Sequence, residues 1–225
     1  MNTKSNLFPW FFQKIFRSFI SNYENQVQSK KSNLEAKPFL YIHIPKTAGI
    51  SVRSSGLVDE KNWKNHTPAS AIIGLDRFFS FCFVRNPYDR IYSSYNFYKN
   101  NPKRGNKRVK EMIQTYETFE TFVSSFRKSK KIDKKHFRAQ ASYICNRRMK
   151  IIIDYVGKFE KINEDWMRIQ DINPYCKQLM ELPVRNQTSG REKKIYTKEM
   201  ADIIYNNYWI DFQMFNYERD SWRLI

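Results

Sequence analysis

Phe39 to Ile44 and Phe78 to Val84 are short runs of aromatic and β-branched residues with few polar interruptions. That is the pattern of strands buried on both faces. Each run breaks at once into a polar loop and a helix start. After the first comes Pro45-Lys46-Thr47-Ala48-Gly49-Ile50-Ser51-Val52, where proline ends the strand and small residues let the backbone approach a ligand. After the second comes Arg85-Asn86-Pro87-Tyr88-Asp89-Arg90, in which Asn86 can cap a helix and Pro87 suits its first position. Two strand, loop and helix units, with a third strand at Ile151 to Val156, predict an α/β fold. The expected architecture is a P-loop-like, three-layer fold with a central, mainly parallel sheet flanked by helices, and ligands at the carboxyl ends of the strands. Helices are predicted for Ser51 to Ser55, Pro87 to Tyr98, Tyr116 to Phe126, His136 to Ile144, Asn163 to Asp171 and Thr197 to Asp211.

The two loops carry the chemistry. A turn from strand to helix aims backbone N–H groups and a helix N-terminus at one point, which favours a phosphate or sulfate. Lys46 adds a mobile positive charge there, and Thr47 and Ser51 add hydroxyls. The nucleotide-binding loop G-x-x-x-x-G-K-[ST] is matched by Lys46-Thr47 but not by its glycines, so an ordinary ATP- or GTP-hydrolysing site is disfavoured. In the second unit Arg85 stands at a strand end beside a helix start, and Ser93, eight positions later, lies about two turns into that helix. An arginine fork and a serine hydroxyl together suit a phosphate. Arg90 has an equally good structural reading as a partner of Asp89, a glutamate or the sheet edge.

Composition limits the partners to a charge class. With 40 Lys and Arg against 22 Asp and Glu, the formal net charge is +18, which attracts nucleic acid, anionic membranes, acidic polysaccharides and phosphorylated cofactors alike. The blocks Lys99 to Lys110 and Arg127 to Arg138 could bind such anions or simply face water, and Phe119, Phe122 and Phe126 read as a core stripe rather than a base-stacking platform. An apolar share of 41% over 225 residues supports one folded domain, and no fixed repeat is present. Cys82, Cys145 and Cys176 form no C-x-x-C pair, so a zinc site or disulfide framework is not signalled; free thiols in a reducing compartment are expected. No metal ligand set stands out. Leu7 to Ile20 is apolar and aromatic but interrupted by Gln13, Lys14 and Arg17 and too short for a span, and it lacks a small-residue cleavage site. It suits a membrane interface or packing against protein equally. The polar run Ser21 to Lys37 reads as a linker, which divides the chain into an N-terminal segment, 1–37, and a domain, 38–225.

Read together, these segments carry a resemblance. His43-Ile44-Pro45-Lys46-Thr47-Ala48-Gly49-Ile50-Ser51 resembles the 5′-phosphosulfate loop of sulfotransferases acting on carbohydrates, the sulfotransferase family 2 type related to chondroitin and heparan sulfate O-sulfotransferases. Phe83-Val84-Arg85-Asn86-Pro87 through Ser93-Ser94-Tyr95 resembles their 3′-phosphate motif, and Asp133 to Gln140, Ile153 to Glu160 with Asp165-Trp166, Leu182 to Ser189 and Tyr196 to Tyr217 extend the similarity over about 39–219. Ile50 stands where threonine is common and Asn86 where aspartate is usual, which removes one hydroxyl and one charge.

The resemblance implies transfer of a sulfuryl group from 3′-phosphoadenosine 5′-phosphosulfate (PAPS) to a hydroxyl of a carbohydrate, glycan or glycolipid, without a metal. It implies that Lys46 stabilises the leaving oxygen, that the backbone of Thr47, Ala48, Gly49, Ile50 and Ser51 holds the 5′-phosphate, and that Arg85 and Ser93 grip the 3′-phosphate. Arg185 and Thr188 match positions that approach the cofactor in relatives. Three histidines or a carboxylate could take the acceptor's proton. Relatives place a catalytic histidine where His66 stands, His136 is the second candidate, and His43 reads as packed. Glu160 and Asp165 read as capping or ion-pairing with Lys158, Lys161 or Arg168. The acceptor expected is a carbohydrate, anionic or lipid-linked, and not a nucleic acid. Since relatives in eukaryotes carry a signal anchor that Leu7 to Ile20 does not provide, the expected location is the cytoplasm, with peripheral contact at the inner membrane. A P-loop phosphotransferase or kinase and a basic nucleic-acid-binding module remain the alternatives.

Overall fold

A computed structural model of the chain describes residues 36–101, 106–126, 135–173, 175–176, 180–183 and 196–224. Among them, β1 (Phe39–His43), β2 (Trp63–Asn65), β3 (Phe79–Val84) and β4 (Tyr155–Lys158) form one sheet in the order β2-β1-β3-β4, every pair parallel. The α-helices among the described residues are α1 (Gly49–Ser54), α2 (Pro87–Asn100), α3 (Lys107–Gln114), α4 (Phe119–Ser125), α5 (Ala141–Ile144), α6 (Ile162–Ile172) and α7 (Lys198–Met214). The α/β, three-layer expectation holds, with the sheet wholly parallel.

Strand alternation separates two apolar faces. Leu40, Ile42, Cys82 and Val84 are buried with Tyr143, Ile144 and Ile153 on one side. Phe39, Tyr41, Phe81 and Phe83 lie on the other, where Trp166 of α6 meets Phe81 edge-on at 6.4 Å between ring centroids. Gly157 of β4 faces Phe83, whose ring lies 2.6 Å from where a Cβ would stand, so only glycine fits. A second core joins α2, α3, α4 and α7 around Tyr88, Ile91, Tyr95, Phe122, Ile204 and Phe212. β1 and β3 are the inner strands, and the loops leaving their carboxyl ends are the two singled out by sequence.

Several element boundaries differ from the sequence reading. The strand expected at Ile151 to Val156 begins only at Tyr155. Ile151 instead bridges antiparallel to Cys145, and Asp154 turns its carboxylate onto the backbone N–H and hydroxyl of Ser80. The helix expected over His136 to Ile144 is broken into a 3₁₀ turn, Lys135–Phe137, and α5. The cause is buried charge: Arg90 takes the carbonyls of His136 and Arg138, and Asp211 of α7 accepts the N–H groups of Gln140 and Ala141. α4 starts at Phe119 rather than Tyr116 because Thr118 caps it through a reciprocal bond with Thr121. β2 and α3 were not foreseen, since Trp63-Lys64-Asn65 is too short to show a period and α3 begins inside a basic block.

Candidate active site

The loop after β1 is built without the glycines such a turn usually takes. Lys46 and Ala48 both hold left-handed backbone, with φ of 68° and 67°. Each costs an L-residue roughly 1–2 kcal/mol, and such strain persists only where the surroundings enforce it. Two hydrogen bonds do so here: the Thr47 hydroxyl donates to the Ile44 carbonyl at 2.8 Å, and the Tyr41 hydroxyl donates to the Thr47 carbonyl at 3.2 Å. Alternating handedness turns successive N–H groups toward one concavity, an anion-binding arrangement. The fully buried Thr47 thus serves through its backbone, its hydroxyl proton being spent on the loop itself. Ser51 is buried, whereas Ile50 is 53% exposed.

The Lys46 ammonium lies 4.7 Å from the centre of the Phe97 ring, and no carboxylate pairs with it among the described residues. Burial, then the charge of Arg85, lowers its pKa to about 8. Arg85 leaves the end of β3 and reaches the same loop, its Nη1 lying 3.4 Å from the Lys46 carbonyl. Its guanidinium covers Phe159 at 4.4 Å and lies 3.8 Å from Asp89. Gln140 clamps the Arg85 backbone at both ends, accepting its N–H and donating to its carbonyl, each at 2.8 Å. Next to it, the Asn86 N–H donates to Glu160, which also accepts from Tyr217. Asn86 caps α2 as expected, accepting the Tyr88 N–H. Ser93 is half-buried on α2, and its hydroxyl has no hydrogen-bond partner among the described residues.

All three histidines converge beside this loop. His66 follows β2 with φ of 57°, and its N–H donates to the His43 carbonyl at 3.2 Å. The rings of His43 and His66 are 4.8 Å apart and those of His66 and His136 5.0 Å apart, between centroids. His43, read from sequence as packed, is therefore part of the cluster: its Nδ1 lies 2.8 Å from Asn65 Oδ1 and its ring fills the space a Cβ on Gly49 would need. His136 Nδ1 lies 2.8 Å from the Tyr98 hydroxyl, and its ring stacks on Phe97 at 5.6 Å. Burial is the main force lowering the pKa of each, to about 3 for His43, about 4 for His66 and about 3 for His136. Neighbouring charge adds to it, from Lys135 on His66 and from Lys46 and Arg90 on His136. All three are neutral near pH 7.

Phe97, Tyr98, Gln140 and the new role of His43 escaped the sequence reading. Asp165 lies 3.9 Å from Arg168, as read, and accepts from the Tyr155 hydroxyl and the Lys158 N–H, whereas Glu160 pairs with none of the expected cations among the described residues and serves the Asn86 N–H and Tyr217 instead. Arg185, Thr188, the 7–20 segment and parts of both basic blocks lie outside the described residues. Among the described residues, no group of His, Cys, Asp and Glu could hold a metal ion, and no helix is long and apolar enough to cross a membrane.

Compared with known protein families, the chain matches the model of the Sulfotransferase family over residues 33–218. The chain belongs to the sulfotransferase family. No curated protein and no solved structure matches it. For a sulfotransferase the geometry has a direct meaning, because sulfuryl transfer, like loose phosphoryl transfer, depends on positioning and on neutralising the leaving group's charge. The sulfotransferase brings the Lys46 loop, with its left-handed residues, together with three imidazoles that are neutral near pH 7. The loop suits an anion; the imidazoles suit a proton in transit.

Proposed function

We propose that this sulfotransferase takes its sulfuryl group from PAPS and passes it to a carbohydrate hydroxyl. The observation that carries the donor reading is Lys46. Its ammonium is withdrawn from water with no carboxylate partner among the described residues, in a backbone loop shaped for an anion, and Arg85 from the second loop touches the same residue. The residues present fit a nucleotide phosphorylated at both ends. Lys46 and the N–H groups of Thr47 to Ser51 would hold the 5′-phosphosulfate, and Arg85 with the Ser93 hydroxyl would hold the 3′-phosphate. The donor, when bound, supplies a sulfuryl group on a good leaving group. Lys46 balances the charge that grows on that leaving oxygen, and His66 or His136 receives the acceptor's proton.

The acceptor reading rests on the motif resemblance and on a net charge of +18, which favours an anionic or lipid-linked glycan. In the same reading, the aromatic and basic 7–20 segment lies at the inner membrane surface of the cytoplasm.

Calorimetric titration with 3′-phosphoadenosine 5′-phosphate, ATP and AMP tests the donor. Only the 3′-phosphorylated nucleotide should bind tightly, and Arg85→Ala should weaken it by about tenfold or more, the worth of a charge-assisted contact. Lys46→Ala should weaken it as well. Equal or absent binding of all three nucleotides overturns the reading, and magnesium-dependent ATP turnover or salt-steep RNA binding would put a phosphotransferase or a nucleic-acid module in its place.

A further inference from the structure

The three histidines are not equivalent, and their hydrogen bonds divide the work. We propose that Tyr98 fixes His136 as the site's neutral hydrogen-bond donor, with its proton on Nε2, and so leaves His66 as the general base. The inference rests on the sulfuryl-transfer reading for its meaning, but the tautomer itself is a property of the free protein.

The Tyr98 hydroxyl and His136 Nδ1 are 2.8 Å apart, so one of them donates. Tyr98 is buried, and among the described residues His136 Nδ1 is the acceptor within hydrogen-bond distance of its hydroxyl. Burial raises the Tyr98 pKa, so the phenol keeps its proton, and Nδ1 is the acceptor available to that proton. A neutral imidazole has one N–H, which then sits on Nε2. Among the described residues the groups acting on His136 are His66, Lys46, Arg90 and His43, all cationic or neutral, and none of them favours a second proton. Its position is fixed as tightly as its tautomer. Arg90 Nη1 and Ser94 Oγ donate to its carbonyl at 3.2 and 3.1 Å, and Phe97 stacks nearly parallel to its ring, at 8°.

His43 is settled by the same reasoning. An amide oxygen only accepts, so the contact with Asn65 Oδ1 puts the His43 proton on Nδ1. His66 is the member of the trio with no hydrogen bond on either ring nitrogen among the described residues. In the transfer step the acceptor oxygen forms a bond to sulfur and its proton passes to the free nitrogen of His66. The bond from sulfur to the donor's bridging oxygen breaks, and that oxygen keeps the electron pair beside Lys46. His136 Nε2–H donates to a sulfuryl oxygen throughout and changes no proton. Tyr98 acts through His136 and is a positioning residue.

NMR of nitrogen-labelled histidine in the full chain reads tautomers directly, free and with saturating 3′-phosphoadenosine 5′-phosphate as the probe. Expected is a protonated Nε2 and unprotonated Nδ1 for His136 in both states. The bound anion should raise the His66 titration by about one pKa unit or more while His136 stays neutral over the same range. Tyr98→Phe should turn His136 into a tautomer mixture and leave affinity for the probe essentially unchanged. A wild-type His136 with its proton on Nδ1 overturns the inference, as does uptake of the proton by His136 instead of His66; neither result needs the variant to fold. Failure of the nucleotide to bind would instead strike the donor reading, with the free-protein tautomer still measured.

Discussion

Gly49 is the residue on which the loop and the histidines meet. Its missing side chain is the space in which the His43 imidazole lies, so a methyl group there must push the ring away from Asn65 and His66. Gly49→Ala is expected to lower stability by about 1–3 kcal/mol, as overpacking does, measured by urea denaturation. Its His43 signal should also lose the signature of an N–H held at Nδ1. The places of Lys46, Arg85 and Ser93 were legible in sequence because they stand at strand ends and on the helix that follows, which short motifs fix. His43 was not, because its role depends on a neighbour six positions away folding back over it. Tyr98 and Phe97 were hidden for a related reason: on α2 they look like any aromatic helix stripe, and only the packed turn at Lys135–Phe137 shows what they face.

Between elements, one buried carboxylate does the work of a cap. Asp211 on α7 accepts the Gln140 and Ala141 N–H groups at 2.7 and 2.9 Å, closing the start of α5, and lies 4.0 Å from the Arg90 guanidinium. Burial raises its pKa despite Arg90, so desolvation outweighs the ion pair at that separation. Removing the carboxylate strands two N–H donors and a buried cation. Asp211→Ala is expected to destabilise the fold by about 3–5 kcal/mol, read by chemical denaturation, whereas Asp211→Asn, which keeps an acceptor, should lose less. Sequence periodicity could place α2, α6 and α7 but not this break, since the interruption of the His136 to Ile144 helix is imposed by charges from α2 and α7. The same holds for Ile151 to Val156, where apolar content marked burial correctly and pairing wrongly.

For the whole molecule, gathering three imidazoles beside Lys46 and Arg85 ties stability to pH. In the unfolded chain each histidine titrates near 6.5, while in the fold the values fall to about 3 or 4. Between about 6.5 and 4 the unfolded state therefore binds more protons, and stability drops as the pH is lowered through that window. Urea midpoints measured from about pH 7 to about pH 4.5 should decline, and His43→Gln with His136→Gln should flatten the slope. A bound anion offsets the same cluster of charge, so the nucleotide's protection against unfolding should be greatest at the acidic end.

Among the described residues one edge of the sheet is β2, three residues long and paired to β1 alone, while the loops that carry Lys46 and Arg85 spring from the two inner strands. Short edges open first. When this one does, it carries off Asn65 and His66 together and leaves the loops after β1 and β3 standing. On the proposed reading, the molecule then has a way to go silent without letting go: the loops that would hold the donor keep their shape while the histidine that would take the acceptor's proton is withdrawn.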